Sequence, residues 1–165
     1  MSVNVRVATV ADAPLILSFV VALAEYERLL DQVEVTEADI RRDLFGENPR
    51  SFCEIAEHEG QPVGFALWFY NYSTFRGRAG IYVEDLFVRP ESRGVGAGKA
   101  LLSRLAQRCV DADLARLEWS VLNWNAPSIA FYDSLGADAM TEWTVRRLDG
   151  EALQRLAGAR TPAEI

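Results

Sequence analysis

The chain has 165 residues, 50% hydrophobic and 25% charged, enough for one globular domain with a substantial core. A formal net charge of −7 argues against a binder of phosphate backbones and favours attraction of cations, amines among them. No apolar run approaches the roughly 18 residues of a membrane span, and the opening MSVNVRVATVAD lacks the charged and apolar regions of a signal peptide, so a cytoplasmic protein that engages neither nucleic acid nor membrane is expected.

Val3 to Ala8 alternates apolar and polar residues and reads as an opening strand. Thr9 with Asp12 three positions on has the pattern of a capping box, and a helix is expected from Pro14 to Leu30. Thr36 and Asp39 repeat the signal before a second, short helix ending near Gly46. Ser51 to His58, the turn Glu59-Gly60-Gln61 and Val63 to Tyr72 read as an antiparallel hairpin. A strand from Gly80 to Val88 is stopped by Pro90, which cannot donate to a ladder. The helix Gly98 to Ala112 carries Leu101, Leu102, Leu105 and Cys109 on one face. Ala115 to Leu122 is a further strand, Ala126 to Leu135 a helix closed by Gly136, and Ala139 to Leu148 a final strand. The order βααβββαβαβ predicts an α/β fold with a mixed central sheet flanked by helices, one domain over residues 1–158 with a flexible tail over 159–165. Cys53 and Cys109 each lie among apolar neighbours, and His58 is the lone histidine, so neither a disulfide nor a metal site is expected.

The segment Val83 to Lys99, VEDLFVRPESRGVGAGK, carries the most information. Its glycines Gly94, Gly96 and Gly98 fall where a strand gives way to a helix, so they sit at a helix N-terminus, where unpaired N–H groups and the positive end of the helix dipole favour an anion. A Walker loop would need glycine in place of Arg93 and Ser or Thr in place of Ala100. A dinucleotide fingerprint would need a third glycine where the chain has Lys99 or Leu101. What remains is Arg-x-x-Gly-x-Gly from Arg93 to Gly98, which resembles the pyrophosphate-binding motif of the GNAT superfamily of acyl-coenzyme A dependent N-acyltransferases.

Further along, Asn125 opens a predicted helix and Tyr132 lies seven residues on, two turns away and on the same face. The stretch VLNWNAPSIAFYDSLGA is similar to a segment of the diamine acetyltransferase family, and LAEYERLLDQVEVTEADI and YVEDLFVRPESRGVGAG extend that similarity over nearly the whole chain. The resemblance implies a GNAT fold, acetyl-coenzyme A as acetyl donor, no metal, a small amine as substrate and a homodimer. It implies that Leu86, Phe87 and Val88 hold the acetyl and pantetheine end through their backbone, with the Leu86 amide as oxyanion donor. Arg93, Gly94, Val95, Gly96, Ala97, Gly98 and Lys99 would hold the pyrophosphate, and Asn125, Ala126, Pro127, Ser128 and Tyr132 would complete the cofactor site. Tyr132 matches the family's proposed general acid, and Glu84 its candidate base, with anchoring of the substrate an equal alternative for Glu84. Strict alternation would put Glu84 and Asp85 on opposite faces and give them separate roles.

On the substrate side the resemblance points to Tyr26 and Glu27, to Asp85, and to Glu118, Trp119 and Ser120. The polyamine-acetylating branch carries Tyr-Asp-Pro-Trp after its third strand, whereas this chain has Tyr72-Ser73-Thr74-Phe75, which resembles the branch that acetylates thialysine. Ser73 and Phe75 are therefore expected to face the substrate, Arg76 and Arg78 either meet a carboxylate or are loop charges, and a lysine-like amino acid or a diamine is expected as acceptor. Protein acetylation, or cofactor binding without turnover, are the competing readings. Binding alone would need neither Glu84 nor Tyr132.

Overall fold

Five stretches of alternating sequence build one sheet in the order β1-β2-β3-β4-β5 in a computed structural model that describes residues 2–158. The strands are β1 (Val3–Val7), β2 (Phe52–His58), β3 (Gln61–Ser73), β4 (Arg78–Val88) and β5 (Leu117–Trp119). The first four pair antiparallel and β5 joins β4 parallel, so the sheet is mixed. The chain falls into two compact units, one ending at Ser120 and one beginning at Val121, and the whole sheet belongs to the first. The tail expected over 159–165 lies outside the described residues.

Period-two alternation decides which helix each strand residue meets. Cys53 and Ile55 of β2 and Phe65 of β3 pack with Ile16 and Phe19 of α1 (Ala13–Tyr26) and Ile40 of α2 (Glu37–Phe45), forming the main core. Phe19 stacks on Phe65 with ring centroids 5.3 Å apart. Glu54 and Trp68 instead meet Arg108 of α3 (Ala97–Asp111), whose Leu101, Leu102, Leu105 and Cys109 are buried. Arg108 Nε donates to Glu54 at 2.6 Å, the indole of Trp68 donates to the same carboxylate, and the guanidinium lies over the Trp68 ring at 5.6 Å. Cys53 and Cys109 are buried free thiols.

Both capping patterns form. The Asp12 carboxylate accepts from the Thr9 N–H at 2.8 Å and is gripped by Arg6 of β1 at 2.8 and 2.9 Å, and Thr36 and Asp39 exchange the reciprocal bonds that start α2. The first helix stops at Tyr26, four residues short of the expected Leu30. Arg28 adopts φ 62, and the Leu29 N–H bonds back to the Ala24 carbonyl, a left-handed termination made without the glycine that would have announced it.

In the second unit α4 (Ala126–Ser134) ends at Gly136 with φ 80, as the glycine implied. The strand expected over Ala139 to Leu148 is not formed. Turn bonds from the Thr141 N–H to Ala139 and from the Trp143 N–H to Met140 break the extended path, and Trp143, Val145 and Leu148 are exposed. Alternation specifies a strand only where a second strand is available to pair with it. A helix α5 (Gly150–Leu156), absent from the sequence reading, follows instead, opened by Asp149.

Candidate active site

The glycine loop is where the sequence placed it. A short 3-10 turn, Pro90–Ser92, leads from β4 to Arg93, and Gly94 and Gly96 follow with φ of 89 and 88. Gly96 is the N-cap of α3, so the amides of Gly96, Ala97 and Gly98 belong to the unpaired first turn of a 15-residue helix. A Cβ on Gly94 or Gly96 would meet nothing within 4 Å, and Arg93, Gly94, Val95, Gly96 and Lys99 are exposed. This open turn, with helix N-terminal amides and the cations Arg93 and Lys99 beside them in sequence, has the donor types that a pyrophosphate needs. Arg93 does a second thing the sequence did not reveal: its guanidinium lies 4.6 Å from the centroid of the Tyr26 ring. The glycine loop and the end of α1 are thereby held together.

Upstream, β4 departs from regular alternation. Asp85 pairs with Leu67 and Val83 with the adjacent Trp68, so Glu84 is an extra residue, a β-bulge. On its other side β4 pairs with β5 only over Ile81–Val83, and from Glu84 to Val88 that edge has no strand partner among the described residues. The bulge and the end of the β5 ladder together leave a strip of β4 backbone free to hydrogen-bond an extended amide chain. Leu86, Phe87 and Val88 lie on this strip.

Strict alternation put Glu84 and Asp85 on opposite faces, and the structure gives them different surroundings. Glu84 is exposed, whereas Asp85 lines a cavity of about 250 Å³ with Ile16 and Val20 of α1, Val35, Asp39, Ile40, Asp43 and Leu44 on and before α2, Ser51, and Leu67 of β3. The two carboxylates nonetheless feel each other: Asp85 is pushed up to about 7, first by burial, then by Glu84, then by Glu27. No hydrogen bond or ion pair relieves it among the described residues. Glu27, the residue that ends α1, is itself raised by burial. Asp39 and Asp43, by contrast, are both paired with Arg42.

The remaining substrate-side expectations separate. Ser73 is buried and its hydroxyl accepts from the Arg76 N–H and from Arg116, both at 3.3 Å, which closes the β3–β4 turn. Phe75 at the tip is fully exposed. Ser73 pairs with Arg78, six residues from Glu84, so the structure puts Ser73 and Phe75 about 20 Å along the strand from the bulge, at about 3.3 Å per residue. Arg78 pairs with Asp113 at 2.6 Å and is a structural charge within its own unit. Glu118 accepts from Asn71 at 3.0 Å and Arg116 at 2.6 Å, Trp119 pairs with Val83, and Ser120 shares a 2.6 Å hydrogen bond with Tyr82.

In the second unit, Asn125 is the buried N-cap of α4, and its side-chain oxygen accepts from the Ser128 N–H at 3.3 Å. Ala126 and Pro127 form the first turn. Tyr132 is half-buried near the other end, its ring 5.5 Å from that of Phe131. Among the described residues no group of three or more His, Cys, Asp and Glu is placed to hold a metal, and no helix is long and apolar enough to cross a membrane.

A mixed sheet whose fourth strand is bulged and half-open, followed by a glycine cradle at a helix N-terminus, is the frame of an acyl-coenzyme A dependent transferase. Residues 20–137 match the model of the Acetyltransferase (GNAT) family; the chain belongs to this family and is an N-acetyltransferase. It is 40% identical to the thialysine N-epsilon-acetyltransferase of Bos taurus over 94% of this chain and 98% of that one. It is 29% identical to the L-ornithine N5-acetyltransferase of Arabidopsis thaliana over 93% and 87%. Among solved structures, an integron cassette protein from the mobile metagenome of V. cholerae superposes with a TM-score of 0.80 at 26% identity, covering 96% of this chain and 99% of that one.

Proposed function

We propose that the chain transfers the acetyl group of acetyl-coenzyme A to a primary amine on a small, lysine-like amino acid or diamine, by direct attack within a ternary complex. The observation that carries this reading is local to the first unit: the open edge of β4 leads to an amide-lined anion cradle at one end and, at the other, carries Asp85, whose carboxylate burial and then Glu84 and Glu27 disfavour. A thioester cofactor needs the first of these and an ammonium acceptor the second. The names of the similar proteins from Bos taurus and Arabidopsis thaliana, both acting on amines of amino acids, support the acceptor class.

Acetyl-coenzyme A, when bound, supplies a thioester whose acyl carbon is open to attack by an amine. In this reading the amides from Gly94 to Lys99, with Arg93, hold its pyrophosphate, and Asn125 to Ser128 complete the binding. The Leu86 N–H, on the open edge of β4, would be the oxyanion donor for that thioester; such a preorganised donor is typically worth about 10²–10³ in rate. Tyr132 would be the proton donor for the thiolate that such a thioester releases. Glu84 and Glu27 attract the ammonium, and Tyr26 orders that segment through its stack on Arg93. The buried, free thiols accord with a reducing, cytoplasmic setting, and the exposed Trp143, Val145 and Leu148 accord with a homodimer.

Release of coenzyme A measured across thialysine, lysine, ornithine, putrescine and spermidine tests the proposal. Turnover should be highest with the amino acids. Spermidine preferred by more than tenfold would overturn the acceptor assignment, and failure to bind acetyl-coenzyme A would overturn the whole reading.

A further inference from the structure

Two parts of the first unit that lie far apart in sequence meet at one guanidinium. Arg93, the residue that opens the glycine loop, is exposed, and its Nε donates to the carbonyl of Val88, the last residue of β4, at 3.3 Å. Its Cζ lies over the Tyr26 ring, 4.6 Å from the centroid, well within the reach of a cation–π contact. A guanidinium has five N–H donors, so one held through Nε and through its face retains its Nη groups for an anion. Tyr26 is the last residue of α1, and the turn that follows it is lightly held. Arg28 has φ 62 in place of a glycine, and the turn rests on backbone bonds from the Glu27, Arg28 and Leu29 N–H groups to the carbonyls of Leu23, Glu25 and Ala24. The half-buried Glu27 sits in this turn, and its charge reaches Asp85 on β4.

Resting on the reading above for the identity of both ligands, we propose that the Arg93–Tyr26 stack couples them: an anion in the glycine cradle fixes the Arg93 guanidinium, the guanidinium fixes Tyr26, and the end of α1 that carries Glu27 is thereby set for the ammonium acceptor. Tyr26 is then a positioning residue that acts through its ring, not a group whose hydroxyl meets the acceptor. The coupling comes from ordering. An exposed arginine on a glycine loop loses side-chain freedom when an anion holds it, and a ring stacked on it loses freedom as well. Freedom lost when the cofactor binds is not lost again when the acceptor arrives, so the second ligand binds more tightly than it would alone. Reciprocity requires the acceptor to tighten the cofactor by the same factor. Arg93, Tyr26 and the Val88 carbonyl all belong to one compact unit, so the link is contained within it.

The first readout needs no acceptor: hydrogen exchange of the amides of Glu27, Arg28 and Leu29, followed by mass spectrometry with and without coenzyme A. In the wild type, saturating coenzyme A should protect the glycine loop and also slow exchange at these three amides, by about threefold or more. Tyr26→Leu should keep the protection of the loop and lose that of the turn, whereas Tyr26→Phe, which retains the ring, should behave as the wild type. Arg93→Met, a change on an exposed side chain, should lose it from the other side at coenzyme A concentrations that still protect the loop. A brace without coupling gives a different pattern, faster exchange in Tyr26→Leu by the same factor with and without coenzyme A, and that pattern would overturn the proposal. The second readout uses coenzyme A with thialysine, a pair with no acetyl group to transfer. Each should tighten the other by the same factor, about fivefold or more in the wild type and Tyr26→Phe and near one in Tyr26→Leu, whose acceptor KM should rise with little change in kcat. A factor that survives in Tyr26→Leu, or vanishes in Tyr26→Phe, overturns coupling through the ring. Failure of coenzyme A to protect the loop would sink the cradle reading and the link with it, whereas the expected exchange pattern in a protein that binds no amine would uphold the link and sink only the acceptor reading.

Discussion

In the proposed function Gly96 serves binding and Tyr132 serves chemistry, and substitutions separate the two. Gly96 holds φ 88 beside open space, so a side chain there meets no steric wall but strains the backbone and stands over the amides of the cradle. Gly96→Val should weaken acetyl-coenzyme A binding by at least tenfold, measured by calorimetry, with kcat at saturation much less affected; undiminished affinity would mean the anion sits elsewhere. Tyr132→Phe removes a hydroxyl and leaves the ring against Phe131. Its expected signature is opposite: normal cofactor affinity and a kcat lower by about 10²–10⁴. Unchanged turnover would remove Tyr132 from the reaction. The glycine turn and the Asn125-to-Tyr132 helical spacing are local patterns, which is why the sequence alone singles out both residues. The Arg93–Tyr26 stack joins residues 67 positions apart, and no local pattern encodes it.

At the scale of elements, β4 and α3 position everything the first unit contributes, and what fixes α3 to the sheet is an ion pair rather than leucines alone. Glu54 is buried in the middle of β2 and accepts from both Trp68 and Arg108. The Arg108 left behind is about a third exposed and partly solvated, while the Trp68 indole loses its buried acceptor, so Glu54→Ala should cost about 1–3 kcal/mol in denaturant unfolding. A loss below about 1 kcal/mol would show that Arg108 finds water instead. The boundaries of β2, β3, β4 and α3 were all readable to within about two residues, because each combines a period with a clear stop signal. The misread elements lacked one of the two. The first helix ends through a non-glycine left-handed residue, Arg28, and the segment from Ala139 to Leu148 had the alternation of a strand but no strand to pair with. The bulge at Glu84 was equally hidden, since an extra residue shows only when both strands are aligned.

At the scale of the whole molecule the carboxylates set how stability varies with pH, and they act in opposite directions. Asp12 is held below the usual carboxylate range by its hydrogen bonds to Arg6, so its contribution is present above the unfolded value and lost as pH falls. Asp85 is raised to about 7 from an ordinary 3.8, so its contribution is full below about pH 4 and lost as pH climbs through 7. Asp85→Asn should therefore match the wild type in stability near pH 3.5 and exceed it at pH 8, by up to about 4 kcal/mol. Thermal melts across that range check the sign: a variant less stable than wild type at pH 8 would contradict it.

The sequence by itself carried the family likeness through its matched segments, and it determined the glycine turn before α3 and the helix opened by Asn125, because those two rest on spacing along one stretch of chain. Only the tertiary structure decided how differently the two neighbouring carboxylates of β4 are surrounded, Glu84 exposed and Asp85 lining a cavity. Glu84 and Asp85 are neighbours in sequence with nearly the same chemistry, and what separates them is a bulge against β3 and a cavity built from α1 and α2. Burial in that cavity arises from residues 16 to 67, none of them adjacent to Asp85 in the chain, and burial is the first cause of its raised pKa.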